Sequence, residues 1–481
     1  MKKSFFRTFI EDSGVYLIPT LLSQGIAFFL IPLYTRILTP SDYGVIDMIK
    51  TFSSLACLVV ALEISQAYCR FFPDAEDSNE KKEISSTSFT ITLINFFLFL
   101  IICQLFTSPM SKVLFGKPGL DIHFRIGTLY IAMMGVSLLI NTQFRFELKK
   151  MHYVYNSIIL FLVTAVFSVL LAYVFKMGLL GMILALLIGQ FSALVIGIWQ
   201  QRLMNSFSIN TKLLKKMLIF SIPLVPSGIA VFISGYISRI MINHYLSLNE
   251  VGLYGMGFRI ASVSILLIAG VNRSLTPLIY NHYKDKETPL QIAKTFRVFI
   301  ILALLLFYVL SAFAPEFLLI LTTSKYYESS STVIYLVPAL FLSQMYVFFP
   351  GTEIAKKTTV VMWVSIINAI LSVLLNWILI PSFGYQGAAV ATLIVCLVVF
   401  LIYMRISQKY YFIPVDWFSI NVSSIIVGCI TFMMTLVDLG FYLNIVLKLF
   451  IGSCLFVIFY LTNLIKKEEY LKIVETIRSR F

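Results

Sequence analysis

Long apolar runs separated by short polar segments make up most of the chain. Each run is about 20 residues long, enough for an α-helix to cross ~30 Å of hydrocarbon. A β-barrel would instead show ~10-residue segments of alternating polarity. We therefore predict an all-α, polytopic membrane protein of 14 transmembrane helices. The predicted spans are 14–38, 43–69, 84–106, 124–146, 154–175, 179–200, 217–243, 251–280, 294–314, 331–352, 358–380, 385–405, 418–437 and 441–464.

The composition excludes a soluble protein. The 481 residues are 59% hydrophobic and 12% charged, with a mean hydropathy of +0.91. A soluble fold needs a polar exterior that this chain cannot supply. The first residues, "MKKSFFRTFIEDSGVYLIPT", contain Glu11 and Asp12 after the basic positions and no small-residue cleavage site. We therefore expect an amphipathic lead-in on the membrane surface rather than a cleaved signal.

Basic residues predict the orientation. Most of the 37 Lys and Arg residues fall in the segments that lie on one side if both termini are cytoplasmic, and few fall in the opposite loops. This asymmetry is typical of cytoplasmic segments. It also accounts for the net charge of +14 through contact with anionic lipid, without a nucleic acid partner.

Five short motifs recur in the same order, at offsets of 204 to 208 residues, which indicates an internal duplication. The pairs are "LIP" 17–19 with "SIP" 221–223, "LTPSDYG" 38–44 with "LSLNEVG" 246–252, "ELKK" 147–150 with "EIAKK" 353–357, "SVLL" 168–171 with 372–375, and "GLLGMILA" 178–185 with "GYQGAAVA" 384–391. Each half holds six spans, so both halves have the same orientation.

The repeat defines the predicted domains. They are an N-terminal six-helix bundle at 1–200, a cytoplasmic linker at 201–216, a second six-helix bundle at 217–405, and helices 13 and 14 with a cytoplasmic tail at 406–481. Two like-oriented bundles predict a central cavity that opens to alternate sides of the membrane.

Six cations lie inside predicted spans, where a charge at the helix centre costs ~2.5–3.5 kcal/mol. They are Arg36, Lys50, Arg239, Arg259, Arg273 and Lys448. Corresponding spans of the two halves place Arg36 with Arg239, and Lys50 with Arg259, at similar depths in the outer half. If these side chains face the cavity, they form an anion site suited to phosphate. The alternative is that Arg36 and Arg239 reach the headgroups, as we expect for Lys448.

Two intramembrane carboxylates complicate this site. Asp47 precedes Lys50 by three residues, so the two side chains can neutralise each other on one helix face. Glu63 lies deep in span 2. It either pairs with Arg273 or binds a coupling proton or sodium ion, and we favour the ion pair because buried charges usually pair.

No motif for catalysis or for a cofactor is present. The sequence lacks a P-loop, HExxH or GxSxG, and its six cysteines show neither CxxC nor metal-ligand spacing. We predict a transporter rather than an enzyme, with no metal site and no cofactor.

Several stretches resemble the bacterial polysaccharide repeat-unit flippases. These are the O-antigen (Wzx-type) exporters of the multidrug/oligosaccharidyl-lipid/polysaccharide (MOP) superfamily. The stretches are "LLSQGIAFFLIPLYTRILTPSDYGVIDMI" 21–49, "CRFFP" 69–73, "ELKK" 147–150, "VGLYGMGFRIA" 251–261 and "GYQGAAVAT" 384–392. The resemblance implies a multi-pass protein of the bacterial inner membrane that moves oligosaccharide units on undecaprenyl pyrophosphate to the periplasmic leaflet. The pyrophosphate would bind Arg36, Lys50, Arg239, Arg259 and Arg273, and the product would serve O-antigen or capsular polysaccharide synthesis.

The resemblance also implies partners, namely glycosyltransferases and a polysaccharide polymerase, besides membrane lipids. It leaves other activities open. A lipid II flippase would share the architecture, whereas a multidrug exporter typically has 12 spans. A membrane glycosyltransferase needs acidic catalytic residues in a large external loop, which this chain lacks. The sugar composition, the coupling ion, the oligomeric state and the resting conformation are not readable from the sequence.

Overall fold

The computed structural model describes residues 31–437 and 439–465, apart from the side chains at positions 270, 273, 274, 277, 278, 281 and 358. Every regular element in these residues is a helix, which confirms the all-α prediction. The chain divides into two compact units, Met1–Gly252 (unit 1) and Leu253–Phe481 (unit 2). This division by contacts falls after the seventh predicted span, whereas the repeat-based domains, which stay a prediction, divide at 201–216.

Unit 1 contains ten described α-helices that end within it. They are α1 Ile31–Ile37, α2 Pro40–Val59, α3 Ile64–Phe71, α4 Ser78–Leu105, α5 Thr107–Phe115, α6 Asp121–Phe146, α7 Lys150–Ser168, α8 Gly178–Gln201, α9 Thr211–Ser221 and α10 Val225–Tyr245. Helix α8 packs against α6 and α7, α4 packs against α6, and α10 packs against α2. Large side chains such as Tyr68, Phe96 and Phe144 form the buried core of this unit.

Unit 2 begins within a helix that starts in unit 1. Its described helices are α11 Leu248–His282, α12 Thr288–Ala312, α13 Ala314–Leu321, α14 Ser330–Gln344, α15 Gly351–Ile354, α16 Thr358–Tyr410, α17 Trp417–Leu436 and α18 Phe441–Leu461. Helix α12 is central to the packing, since α14, α17 and α18 all contact it, and α14 also packs along α16.

Within the described residues, eleven helical segments are long and apolar enough to cross a membrane, or 12 if α2 and α3 form one bent span. One of them, Thr359–Tyr410, has 52 residues and would extend about 78 Å at 1.5 Å per residue, over twice the hydrocarbon thickness. It contains the predicted spans 358–380 and 385–405, which Gly384 separates at a non-helical φ of 62°. The first predicted span, 14–38, lies mostly outside the described residues, and every other predicted span has a helical counterpart.

Polar side chains set where several helices begin, because the first N–H groups of a helix have no partner within it. The Asp77 side chain accepts the Glu80 N–H at the start of α4, and Asp416 accepts the Ser419 N–H at the start of α17. At α9, Asn210 accepts the N–H groups of Lys212 and Leu213. The helix ends are thus fixed by residues of the polar segments that separate the apolar runs.

Candidate functional site

The repeated motifs "LTPSDYG" and "LSLNEVG" each begin a helix with a hydroxyl residue followed three positions later by an acid. In α2, the Thr39 hydroxyl accepts the Asp42 N–H at 3.3 Å, and the Asp42 carboxylate accepts the Thr39 N–H at 2.8 Å. At α11, the Ser247 hydroxyl donates to the Glu250 carboxylate and accepts the Asn249 N–H. In both helices the hydroxyl oxygen accepts a backbone N–H of the first turn, and in α2 the acid also accepts the N–H of the hydroxyl residue, which completes a capping box. The acids of both motifs are therefore explained by helix initiation.

The glycine that ends each motif permits a close helix crossing. A β-carbon on Gly44 would overlap the Leu248 carbonyl, and one on Gly252 would overlap the Pro40 carbonyl. The relationship is reciprocal, since Gly44 and Pro40 occupy in α2 the positions that Gly252 and Leu248 occupy in α11. The first turns of the two helices therefore pack backbone to backbone, which accounts for glycine at these two places.

Behind this crossing lies a buried ion pair in unit 1. The Arg239 Nε of α10 is 3.7 Å from the Asp47 Oδ2 of α2, and both side chains are about 10% exposed. The Arg239 guanidinium also lies 5.7 Å from the centroid of the Tyr236 ring. The burial of Arg239 argues against the alternative that it reaches the headgroups. The acid beside it is Asp47, which the sequence also places next to Lys50.

The other predicted cations of unit 1 are exposed. Arg36 lies in the last turn of α1, and Lys50 lies on α2 three residues beyond Asp47. Helix α1 is attached to α7 by a hydrogen bond of 2.7 Å between the Tyr34 and Ser168 hydroxyls. Unit 1 therefore carries three of the predicted cations, and Arg239 is buried in an ion pair with Asp47.

Glu63 lies at a break in the second span. The axes of α2 and α3 differ by 50°, and Leu62 and Glu63 both have left-handed backbones, with φ of 49° and 53°. Such a conformation costs non-glycine residues ~1–2 kcal/mol each. Asn95 of α4 donates to the Val60 carbonyl at 3.1 Å, so it binds an acceptor that the break exposes. No motif in the sequence indicated this break.

The Glu63 side chain is half-buried against α10. A β-carbon on Gly228 would lie 3.3 Å from the Glu63 Oε1, so the carboxylate lies beside the start of that helix. Within the part of the chain that the structure describes, no basic side chain forms an ion pair with Glu63. Its predicted partner was Arg273, whose side chain lies outside the described residues.

Unit 2 holds the remaining predicted cations. Arg259 and Arg273 both belong to α11, and the Arg259 side chain is partly buried. The position of the Arg273 side chain is not described, so its predicted role stays a prediction.

Lys448 was expected to reach the outer surface, and this expectation is wrong. It is 2% exposed in unit 2, where its ammonium group pairs with the Glu316 carboxylate of α13. Tyr308 of α12 donates to the Lys448 carbonyl at 2.7 Å. Glu316 was not among the residues predicted from the sequence, although an acid between two apolar runs, in "FAPEF" 313–317, is unusual and could have indicated a buried partner.

An apolar cavity of about 400 Å³ lies between α2, α5, α6 and α10 in unit 1. Its lining includes Phe52, Leu55, Met110, Phe124 and Phe232, and it contains few polar atoms. A phosphate group needs cations or N–H donors, so this cavity is unsuited to it. Elsewhere in the described residues, no three His, Cys, Asp or Glu side chains lie close enough to hold a metal ion.

Comparison with known proteins identifies the family. The sequence model of the family described as "Polysaccharide biosynthesis protein" matches residues 9–282, which is more than half of the chain. This protein belongs to that polysaccharide biosynthesis family. A second family model, MatE, matches residues 223–379, all of which lie in the second half of the predicted repeat.

Relatives of this polysaccharide-family protein include a Haemophilus influenzae protein of the Lsg locus. It is 27% identical over 290 residues, which are 58% of this chain and 68% of the relative. A Haloferax volcanii protein, named as the probable low-salt glycan biosynthesis flippase Agl15, is 23% identical over 242 residues. Those residues cover 48% of this chain and 51% of the relative.

Solved structures share the fold of this family member. The lipid II flippase MurJ, in an inward closed conformation, has a TM-score of 0.73 at 16% identity over 92% of this chain and 97% of its own. A multidrug-resistance MATE transporter of the MOP superfamily, facing inward, has a TM-score of 0.63 at 15% identity over 82% and 97%. The predicted relationship to polysaccharide flippases of the MOP superfamily is confirmed.

Proposed function

We propose that this protein moves undecaprenyl-pyrophosphate-linked oligosaccharide units from the cytoplasmic to the periplasmic leaflet of the bacterial inner membrane. The observation that carries the proposal is the family match, which covers the helices bearing Arg36, Lys50, Arg239, Arg259 and Arg273. The oligosaccharide units would serve O-antigen or capsular polysaccharide synthesis. Both termini would be cytoplasmic, and glycosyltransferases and a polymerase would act before and after transport.

The chemistry of the cations supports a diphosphate headgroup. In unit 1, Arg36 and Lys50 are exposed and Arg239 is paired with Asp47. Arginine binds phosphate through two parallel N–H donors, and lysine contributes a compact charge. We propose that Lys50 and Arg259 contact the pyrophosphate, and that Arg239 acts through its pair with Asp47.

Glu63 is our proposed site for a coupling ion. It is a half-buried carboxylate at a helix break, without an ion-pair partner in the described residues, and interrupted helices of transporters commonly bind ions at such breaks. A proton or a sodium ion would neutralise it during one stage of transport. The proposal requires no cofactor.

A lipid II flippase is the second candidate, because the fold similarity to MurJ extends over 92% of this chain. Similarity at 16% identity indicates a shared fold but does not identify the substrate. The family match and the relative named as a glycan flippase favour the oligosaccharide substrate.

Depletion of the protein in its host tests the proposal. We expect loss of surface polysaccharide and accumulation of the undecaprenyl-pyrophosphate oligosaccharide in the cytoplasmic leaflet, with lipid II unchanged. Accumulation of lipid II, with normal surface polysaccharide, would replace the proposal by the second candidate.

A further inference from the structure

A tyrosine-to-glutamate hydrogen bond ties two spans together at the end of unit 1 that the charge distribution predicts to be cytoplasmic. Tyr68 of α3 donates to the Glu147 Oε1, directly after α6, at 3.3 Å. Lys149 pairs with the other Glu147 oxygen at 2.6 Å, and the Gln201 amide donates to Oε1 at 2.9 Å. Tyr68 is fully buried, so this contact lies inside a closed polar network.

Unit 2 has a corresponding hydrogen bond at its own inner end. Tyr280, in the last turns of α11, donates to the Glu353 Oε2 of α15 at 2.6 Å. Here the partners lie at the surface, since Tyr280 is 45% exposed and Glu353 is also exposed.

The two glutamates belong to the same turn of the internal repeat. They come from "ELKK" and "EIAKK", and each motif contains a left-handed residue, Leu148 at φ 58° or Lys356 at φ 56°. In both turns the next lysine donates its N–H to a carbonyl five residues earlier, Lys149 to Phe144 and Lys357 to Thr352, at 2.8 Å each. The glutamate stands two positions before Lys149 but four before Lys357. The duplicated turn has therefore kept a tyrosine partner although the glutamate has a different place in it.

The segment that carries Glu353 is held firmly from its other side. The Gly351 N–H donates to the Ser407 hydroxyl at 2.8 Å, and Ser407 donates to the Phe349 carbonyl at 2.6 Å. Thr352 donates to the Tyr403 hydroxyl at 2.8 Å. Glu353 is therefore a fixed acceptor on α15, anchored to the end of α16.

Helix α11, by contrast, is buried on all sides only near its outer end, whereas further along it is buried on one face, which includes Ile268, Leu275 and Ile279. Residues 251–257 are all buried, and a β-carbon on Gly257 would overlap the Thr332 side chain of α14. From Gly257 to Tyr280 the helix runs 23 residues, about 35 Å at 1.5 Å per residue. A small rotation at the crossing thus becomes a displacement of several ångströms at Tyr280.

We propose that the Tyr280–Glu353 hydrogen bond is a releasable clasp that holds the inner end of α11, and that α11 pivots at Gly257 when the clasp opens. The Tyr68–Glu147 hydrogen bond is its counterpart in unit 1, and it stays closed. A single exposed hydrogen bond is weak because water competes for both partners, which suits a contact that must open and close. The role in transport rests on the proposed function, but the existence of the clasp does not. Tyr280 and Glu353 are positioning residues, acting through α11.

Distances between spin labels test the clasp directly. With the native cysteines replaced, labels at His282 and Lys357 report the separation of α11 from α15 within unit 2. We expect Tyr280→Phe to increase the open population roughly two- to tenfold, the range for loss of one hydrogen bond. The matched control is Tyr283→Phe, because no hydrogen bond of that hydroxyl is found in the described residues.

Substitutions at Glu353, measured with the same spin labels, are the second part of the test. Glu353→Ala should broaden the distances as Tyr280→Phe does, and the double variant should broaden them no further, since both changes remove one interaction. Glu353→Gln keeps an acceptor oxygen and should stay close to the wild type. Distances in Tyr280→Phe that match those in Tyr283→Phe would overturn the clasp.

A transport measurement separates the existence of the clasp from its role in transport. We expect Tyr280→Phe to change the rate of appearance of surface polysaccharide, with Tyr283→Phe unchanged. A broadened distance distribution with an unaltered rate would overturn the role of the clasp in transport. Failure of the proposed substrate would appear instead in the depletion experiment, which does not involve Tyr280.

Discussion

Gly44 of α2 lies against the backbone carbonyl of Leu248, the first residue of α11, with no room for a side chain between them. The same contact occurs in reverse between Gly252 and Pro40. Two motifs 208 residues apart therefore meet as a matched pair. This is a structural reason for the sequence repeat that the offsets alone could not provide.

Gly44→Ala and Gly252→Ala should each destabilise the protein. The added methyl group must displace a backbone carbonyl, and overpacking of this kind costs ~1–3 kcal/mol. Thermal unfolding in detergent measures the effect. Gly235→Ala in α10 is the control, because a β-carbon there meets nothing within 4 Å and alanine favours helix. Equal melting temperatures for Gly44→Ala and Gly235→Ala would contradict the close crossing.

Lys50→Ala and Arg259→Ala should reduce surface polysaccharide strongly while leaving the abundance of the protein unchanged. Both remove a cation that we propose contacts the diphosphate, and neither leaves a large cavity. Lys112→Ala, an exposed lysine on α5, serves as the control for loss of positive charge. Polysaccharide at wild-type levels in both variants would remove the proposed anion site.

Asp47 and Arg239 should show energetic coupling. Removing one partner of a buried pair typically costs ~3–5 kcal/mol, because the other charge is left uncompensated, and the 3.7 Å separation suggests the lower end of this range. Asp47→Ala and Arg239→Ala should therefore each lower the melting temperature. The double variant should be less destabilised than the sum of the two, and simple additivity would mean that the pair is not an interacting unit.

Glu63→Gln should abolish transport driven by an ion gradient without unfolding the protein. Glutamine keeps the size of the side chain and removes the charge that would bind a proton or sodium ion. Reconstituted vesicles with an imposed gradient of either ion measure this. If transport in Glu63→Gln still responds to both gradients, Glu63 is not the coupling site.

Lys448→Met and Glu316→Gln should each destabilise unit 2, for the same reason as at Asp47. Replacing both partners by apolar residues, Lys448→Met with Glu316→Leu, should restore much of the stability, since buried ion pairs are often no better than well-packed apolar groups. The melting temperatures of the two single variants and the double variant measure whether the apolar pair restores stability. A double variant with a melting temperature as low as those of the single variants would show that the Lys448–Glu316 pair contributes stability that two apolar side chains cannot replace.

The sequence predicted the helices well because length and polarity alone decide which segments cross a membrane. It predicted the repeat because the motifs that cap α2 and α11 involve neighbouring residues. The partners of Arg239 and Lys448 were harder to predict. Asp47 and Glu316 are distant in sequence, so only the packing of α2 on α10, and of α13 beside α18, reveals them.

The break at Glu63 was hidden for a different reason. Residues 60–63 read "VALE", a sequence without glycine or proline, and such residues normally continue a helix. The left-handed backbone of Leu62 and Glu63 is imposed by tertiary contacts, such as the hydrogen bond from Asn95 to Val60. Local propensity cannot anticipate a conformation that distant residues enforce.

The buried bond between Glu316 and Lys448 also constrains how such a chain can change in length. Deleting the last two spans would remove the lysine and leave the buried Glu316 carboxylate without its partner. A viable shorter descendant would therefore need a second, simultaneous change at position 316. Helices α17 and α18 are therefore integral to the fold, and their loss would require more than one evolutionary step.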